Sequence, residues 1–309
     1  MSSLPLTKDA AAIALGPRRS FFASILELGK FRLSVFVLMT TAFGFLLGLG
    51  DTIDLARLVV VVIGTGMVAF AANTLNQVWE IQHDRRMART ANRPLVTGDV
   101  TPWGAMFVAF LLAVGGVFLL SHGTNQLATT LALASLLSYV LLYTPLKRKH
   151  NLNTLLGAIP GALPVMIGWA AVDGQLTLAA WTLFSIIFCW QIPHFMAISW
   201  LYREDYLRAG FKMLAAEDAS GRAPGRAALI YSLALVPLSM AASFVALTGW
   251  VSLLLTPVLG LVMIVPSWRF LRQPATATAR ALFLASLVYL PVFFLLLLVD
   301  RTRLPAIGG

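Results

Sequence analysis

The sequence predicts an all-α integral membrane protein of about nine transmembrane helices, and three observations carry that prediction. Of its 309 residues, 59% are hydrophobic and only 12% charged, a balance too apolar for a soluble domain of this length. The apolar residues gather in runs of roughly 18 to 25, the length that crosses a bilayer as a helix. The basic residues fall in alternate gaps between those runs.

Taken in order, the runs lie near 32–50, 56–79, 103–121, 126–143, 152–172, 176–200, 227–247, 250–272 and 278–299. The fifth contains Gly157, Pro160, Gly161, Pro164 and Gly168, which kink a helix or let backbones approach closely. The lead through Arg32, the 80–102 loop, Lys147 to Lys149, the 201–226 loop and the 269–280 segment hold every Lys and Arg except Arg57, Arg301 and Arg303. By the positive-inside rule the N-terminus is then cytoplasmic and the C-terminus lies on the far side. The net charge of +10 thus reports topology, and no nucleic acid partner is expected.

The chain divides into a lead (1–30), one nine-helix domain (31–300) and a short tail (301–309). The pair Arg18 and Arg19 suggests a twin-arginine export signal, but Glu27 and Lys30 interrupt the stretch that follows and no small-residue cleavage site appears. An interfacial helix at Phe21 to Leu28 is expected instead. The lead has no transit-like pattern, so a bacterial cytoplasmic membrane is the expected location. A single cysteine, Cys189, excludes an intramolecular disulfide framework and a cysteine-based zinc site.

Chemistry concentrates in one stretch, NTLNQVWEIQHDRRMARTANRP, from Asn73 to Pro94. Asn76, Glu80 and Asp84 recur every four residues, so on a helix they share one face. Arg85, Arg86, Arg89 and Arg93 follow at once. Carboxylates suit Mg²⁺, which takes one or two of them together with substrate phosphates, and arginine forks match phosphate oxygens. A solvated set of i, i+4 ion pairs produces the same spacing; Asn73, Asn76 and Gln77 weigh against it, because amides within an apolar helix face a cavity or a partner. A second acidic cluster, Glu204 and Asp205 beside Arg203, Arg208 and Lys212, follows the sixth run as the first follows the second. Gln191 and His194 share a face just before it, with Pro193 between them; neutral imidazole can ligate a metal or haem iron. His83, His122 and His150 have weaker claims.

In their order and spacing, NQVWEIQHDRRMARTANRPL, YTPLKRKHNLNTLLGAIPGALPVMIGW and WQIPHFMAISWLYREDYLRAGFKML resemble the signatures of the haem O synthases (protohaem IX farnesyltransferases), a branch of the UbiA-type intramembrane prenyltransferases. The resemblance is close over roughly 76–214 and covers the other helices in number and placement. It implies a nine-helix bundle with a central cavity capped by cytoplasmic loops. It also implies an allylic diphosphate held through Mg²⁺ by Asn76, Glu80, Asp84 and Asp205, and diphosphate contacts from Arg89, Arg93, Lys147 and Lys212. His194, in the PHF stretch, falls on the haem side. Two departures stand out: many relatives carry Asp where Glu80 stands, and a proline where this chain has Ala215 and Ala216.

The implied reaction joins farnesyl diphosphate to the vinyl group of haem B, with addition of water. Trp79, Tyr143, Phe195 and Tyr206 offer π faces to an allylic cation, although packing explains each equally. A haem A synthase or a terminal oxidase assembly factor is the partner such a product implies, alongside the lipid bilayer itself. Two other readings compete. One is a sister enzyme acting on an aromatic quinone precursor or chlorophyll-type alcohol, which the RTANRP, YTPLK and PHF stretches disfavour. The other is a transporter, which would place its polar groups nearer the bilayer midplane than one membrane face.

Overall fold

Eight helices are long and apolar enough to cross a membrane in the computed structural model, which describes residues 20–50 and 52–302. A further apolar stretch, Leu33–Gly48, is shorter and completes the nine-helix bundle expected from the apolar runs. Residues before Ser20 and after Thr302, and with them the readings placed on Arg18 and Arg19, lie outside the described residues.

The order is α1 (Phe21–Leu28), α2 (Phe31–Gly48), α3 (Leu55–Asp84), α4 (Pro94–Thr97), α5 (Pro102–Gly123) and α6 (Gln126–Leu146). It continues with α7 (Asn153–Asp173), α8 (Leu178–Leu201), α9 (Arg203–Ala209), α10 (Leu214–Glu217), α11 (Arg222–Phe244), α12 (Trp250–Arg272) and α13 (Thr276–Val299). A helix forms at Phe21–Leu28 as α1, started by Ser20, whose hydroxyl accepts from the Ala23 amide at 3.2 Å.

Two helices form the axis of the bundle. α7 and α8 are the most buried of the spans. One apolar cluster joins them to α11, α12 and α13, and a second joins α7 to α3, α5 and α6. The glycines of α7 act by close approach. A Cβ at Gly168 would sit 2.0 Å from the Thr41 carbonyl oxygen, and one at Gly44 would sit 2.0 Å from that of Val165, so α2 and α7 meet backbone to backbone. Gly157 and Gly161 serve differently, leaving room for the Tyr143 ring and the Gln191 amide.

One boundary departs from the expected pattern. α3 was expected to end near Trp79, but it continues to Asp84 and runs for 30 residues, about 45 Å at 1.5 Å per residue and well beyond a hydrocarbon core of about 30 Å. Its last turns remain helical because their acidic side chains are buried against partners rather than solvated.

The two long loops meet over this end of the bundle. Met87 packs with Ala209, Phe211, Met213 and Ala216, and the Ala88 amide donates to Asp205 at 3.3 Å. The Lys212 amide donates to the Lys147 carbonyl at 2.8 Å, and Asn153 donates to the Lys212 carbonyl at 2.7 Å. At the opposite end Arg301 donates to the Leu46 carbonyl at 2.7 Å, tying the last helix to the first span.

The α2–α7 contact predicts that Gly168→Val destabilises the protein by ~1–3 kcal/mol through overpacking. Thermal unfolding in detergent would register this, with Gly50→Ala, where a Cβ meets nothing within 4 Å, expected to match wild type.

Candidate active site

The buried face of α3 carries Asn76, Glu80 and Asp84, and each is met by a cation from a different part of the chain. Lys30 donates to Asn76 Oδ1 at 2.6 Å. Lys147 donates to Glu80 Oε1 at 2.9 Å, with side chains 13% and 4% exposed. Arg93 pairs with Asp84 Oδ2 at 2.6 Å, and Arg208 pairs with Asp205 on α9. The i, i+4 register therefore places the three α3 groups together, and the second loop brings Asp205 up to the first through the Ala88 amide.

Lys30 is reached through the amides in the apolar helix. Asn73 donates to the Gly29 carbonyl at 3.1 Å, and Gln77 donates to those of Glu27 and Leu28 at 3.0 and 2.8 Å. These bonds hold the end of α1 against α3. Lys30 itself adopts a left-handed backbone with φ 48°, which turns the chain into α2 and aims the ammonium at Asn76. Burial, followed by repulsion from Arg93 and Lys147, holds the Lys30 ammonium well below the usual lysine range. Burial also opposes the charge on Lys147, but the adjoining Glu80 carboxylate prevails and raises it. Its Nζ also lies 4.7 Å from the Tyr143 ring centroid.

Lys30, Glu80, Asp84, Arg89, Arg93 and Lys147 border a chamber of about 300 Å³, while Asn76 and Asp205 sit behind its wall. An apolar arm of about 160 Å³ adjoins it between α3, α6 and α7, past Ala132, Leu136 and Ile167. Another, of about 100 Å³, runs along α8 past Trp190 and His194 to Leu290. Leu33 and Phe195 border all three spaces.

A π-helical stretch, Ser138–Tyr143, interrupts α6 and sets Tyr139 and Tyr143 on the wall between the chamber and the first arm. It also brings Thr144 to Asn76, whose amide donates to its hydroxyl at 3.0 Å.

The donor set suits a hard divalent cation bound with a diphosphate. All the acceptors are oxygens, and Asp84 Oδ1 is buried without a hydrogen-bond partner, a vacancy of lone pairs that a cation would fill. Among the described residues no three His, Cys, Asp or Glu converge as a preformed cage. Magnesium does not require one, since it keeps waters and takes substrate phosphates.

The other expected residues divide by position. Arg89 borders the chamber, bonded to the Tyr206 hydroxyl at 3.3 Å and lying over the Tyr202 ring. His194 borders the chamber and the second arm. Lys212 is exposed and meets the site only through its backbone, because the short α9–α10 connection turns its side chain outward while Phe211 and Met213 turn inward. Trp79 is 48% exposed, one helix face away from the carboxylates, whereas Tyr143, Phe195 and Tyr206 line the chamber. Lys30 was absent from the expected set. Its only signal in the sequence was a charge immediately before the first apolar run, which a topogenic lysine shares.

Residues 37–298 match the model of the UbiA prenyltransferase family. The chain is 38% identical over 288 residues to a protohaem IX farnesyltransferase of Solibacter usitatus, covering 90% of this chain and 99% of the other. It is 40% identical over 276 residues to the mitochondrial protohaem IX farnesyltransferase of Arabidopsis thaliana, covering 89% of this chain and 64% of the other. In three dimensions it is similar to a digeranylgeranylglyceryl phosphate synthase, with a TM-score of 0.75 and 19% identity over 92% of this chain and 99% of that one. A UbiA homologue from Archaeoglobus fulgidus bound to GPP and Mg²⁺ gives a TM-score of 0.61 and 16% identity over 89% and 99% of the two chains. The architecture, the matched model and the relatives agree, and this chain belongs to the UbiA prenyltransferase family.

Proposed function

We propose that the protein transfers the farnesyl group of farnesyl diphosphate to the vinyl group of haem B, with addition of water, giving haem O and diphosphate. The observation that carries this reading is one oxygen-and-cation chamber adjoining two apolar arms that meet at Leu33 and Phe195, in a chain closely similar to protohaem IX farnesyltransferases. A prenyl chain and a porphyrin both need apolar walls, and only the diphosphate needs charge.

Asn76, Glu80, Asp84 and Asp205 would hold Mg²⁺, which when bound supplies positive charge against the diphosphate oxygens. Lys30, Arg93 and Lys147, resting on those same acceptors without substrate, pass to the diphosphate as it enters, and Arg89 closes over it from the loop. Their charges stabilise the negative charge that grows as the allylic C–O bond breaks. The farnesyl cation is left against Tyr139, Tyr143 and Phe195, whose faces attract positive charge and whose bulk keeps water away. The vinyl π electrons form the new C–C bond. The resulting cation, conjugated with the porphyrin, takes up water and loses a proton, so no serine or cysteine nucleophile is needed. His194 meets the porphyrin from the second arm.

The charged loops face the cytoplasm in this reading. Cys189 is buried and is the only cysteine, so introduced cysteines can report sidedness. Asn92→Cys should react with an impermeant maleimide only after the cytoplasmic face is opened, and Asp54→Cys should react from outside; the reverse pattern would invert the topology.

Membranes carrying Glu80→Gln or Asp84→Asn should yield at least ~10²-fold less farnesylated haem than wild type when extracts are resolved by mass spectrometry. Chelation should abolish the product and added Mg²⁺ restore it. Only haem B from folded wild-type protein supplied with both substrates would overturn the assignment.

A further inference from the structure

His194 is held by a hydrogen bond whose direction can be worked out. Its Nδ1 lies 2.7 Å from the Ser286 hydroxyl on α13, and that hydroxyl donates to the Phe283 carbonyl at 2.6 Å. A serine has one proton to give. Were it given to Nδ1 instead, the hydroxyl and the carbonyl would face each other lone pair to lone pair at 2.6 Å. The proton therefore goes to Phe283, and Ser286 must accept from Nδ1–H. Neutral imidazole carries a single N–H, so Nε2 is left as a bare lone pair.

The surroundings keep the ring in place. Trp190 stacks on it with centroids 5.1 Å apart and an interplanar angle of 21°, and the Trp190 indole donates to the Ser286 carbonyl at 2.9 Å. Phe283 lies against it at 5.2 Å. Ser286 is fully buried. Nε2, across the ring from Ser286, has no hydrogen-bond partner among the described residues, while the side chain borders both the chamber and the second arm.

We propose that Ser286 is a positioning residue that fixes His194 as the Nδ1–H tautomer, so that Nε2 ligates the iron of the porphyrin acceptor. The same arrangement orients metal-bound histidines generally, where the second ring nitrogen donates to a fixed oxygen. The lone pair forms one coordination bond, and no electron is transferred. The porphyrin is thereby tethered beside Phe195, which borders the chamber and both arms. This inference rests on the haem reading of the second arm.

The test uses full-length protein in lipid nanodiscs, titrated with haem B and, separately, with metal-free protoporphyrin IX. Wild type should give a nitrogen-ligated haem spectrum, and His194→Leu should lose it. Ser286→Ala should weaken haem B binding by ~10- to 100-fold and Ser286→Thr should recover it, while metal-free protoporphyrin binds all four proteins alike. Equal weakening of both porphyrins by Ser286→Ala would show a packing role and overturn the proposal, as would an unchanged spectrum in His194→Leu. Wild-type turnover of farnesyl diphosphate and haem B, assayed alongside, separates the two claims. Turnover with no His194-dependent spectrum sinks the ligation alone, and absence of turnover sinks the haem reading beneath it.

Discussion

Negative charge on the inner face of a membrane helix must be met by positive charge from elsewhere in the fold, and that constraint organises this protein. Glu80 and Asp84 are nearly inaccessible to solvent, where an unpaired carboxylate is costly. Lys147, from just beyond α6, pairs with Glu80, and Arg93, from the loop after α3, pairs with Asp84; Lys30, from the turn between α1 and α2, bonds the neutral Asn76 beside them. Each cation fixes a separate segment to α3. Removing one partner of such a buried pair costs ~3–5 kcal/mol, because the other is left alone. The chamber is therefore assembled by charge from segments distant in sequence, while the apolar bundle supplies its walls.

The same constraint keeps the chemistry at one end. Polar groups crowd the mouth of the chamber, and the arms beyond it are lined by aliphatic and aromatic side chains. In the proposed reaction, these walls would shield a cation formed at the mouth from water until the acceptor reacts with it. α7 allows this by its glycines: Gly157 and Gly161 make space for Tyr143 and Gln191, while Gly168 draws α2 close. α13 reaches the second arm through Leu290, and through Ser286 and Phe283, which hold His194.

Much of this was legible in the sequence, for reasons that differ by element. The spans follow from length and apolarity alone, and the four-residue spacing of Asn76, Glu80 and Asp84 needs only helix geometry to predict a shared face. The amides Asn73 and Gln77 announced that α3 meets a partner, but not that the partner is the backbone at Leu28 and Gly29. That contact spans more than forty residues of chain, and no local pattern encodes it. Lys30 was hidden for the same reason, and Ser286 looks like any serine in an apolar helix. The π turn of α6 could not be read from YTP, and the outward turn of Lys212 depends on the packing of Phe211 and Met213. Local periodicity thus gave the shared face of Asn76, Glu80 and Asp84, the family resemblance pointed to Asp205, Arg89, Arg93 and Lys147, and tertiary contacts alone revealed Lys30.

The most direct measurement is turnover by purified protein of farnesyl diphosphate and haem B in water enriched in oxygen-18, with the porphyrin product analysed by mass spectrometry. The account predicts a farnesylated haem whose new hydroxyl carries the heavy isotope, formed with Mg²⁺ and one diphosphate per product. A product whose hydroxyl oxygen did not come from water, or a prenylated quinone-type acceptor formed in place of any porphyrin, would contradict it.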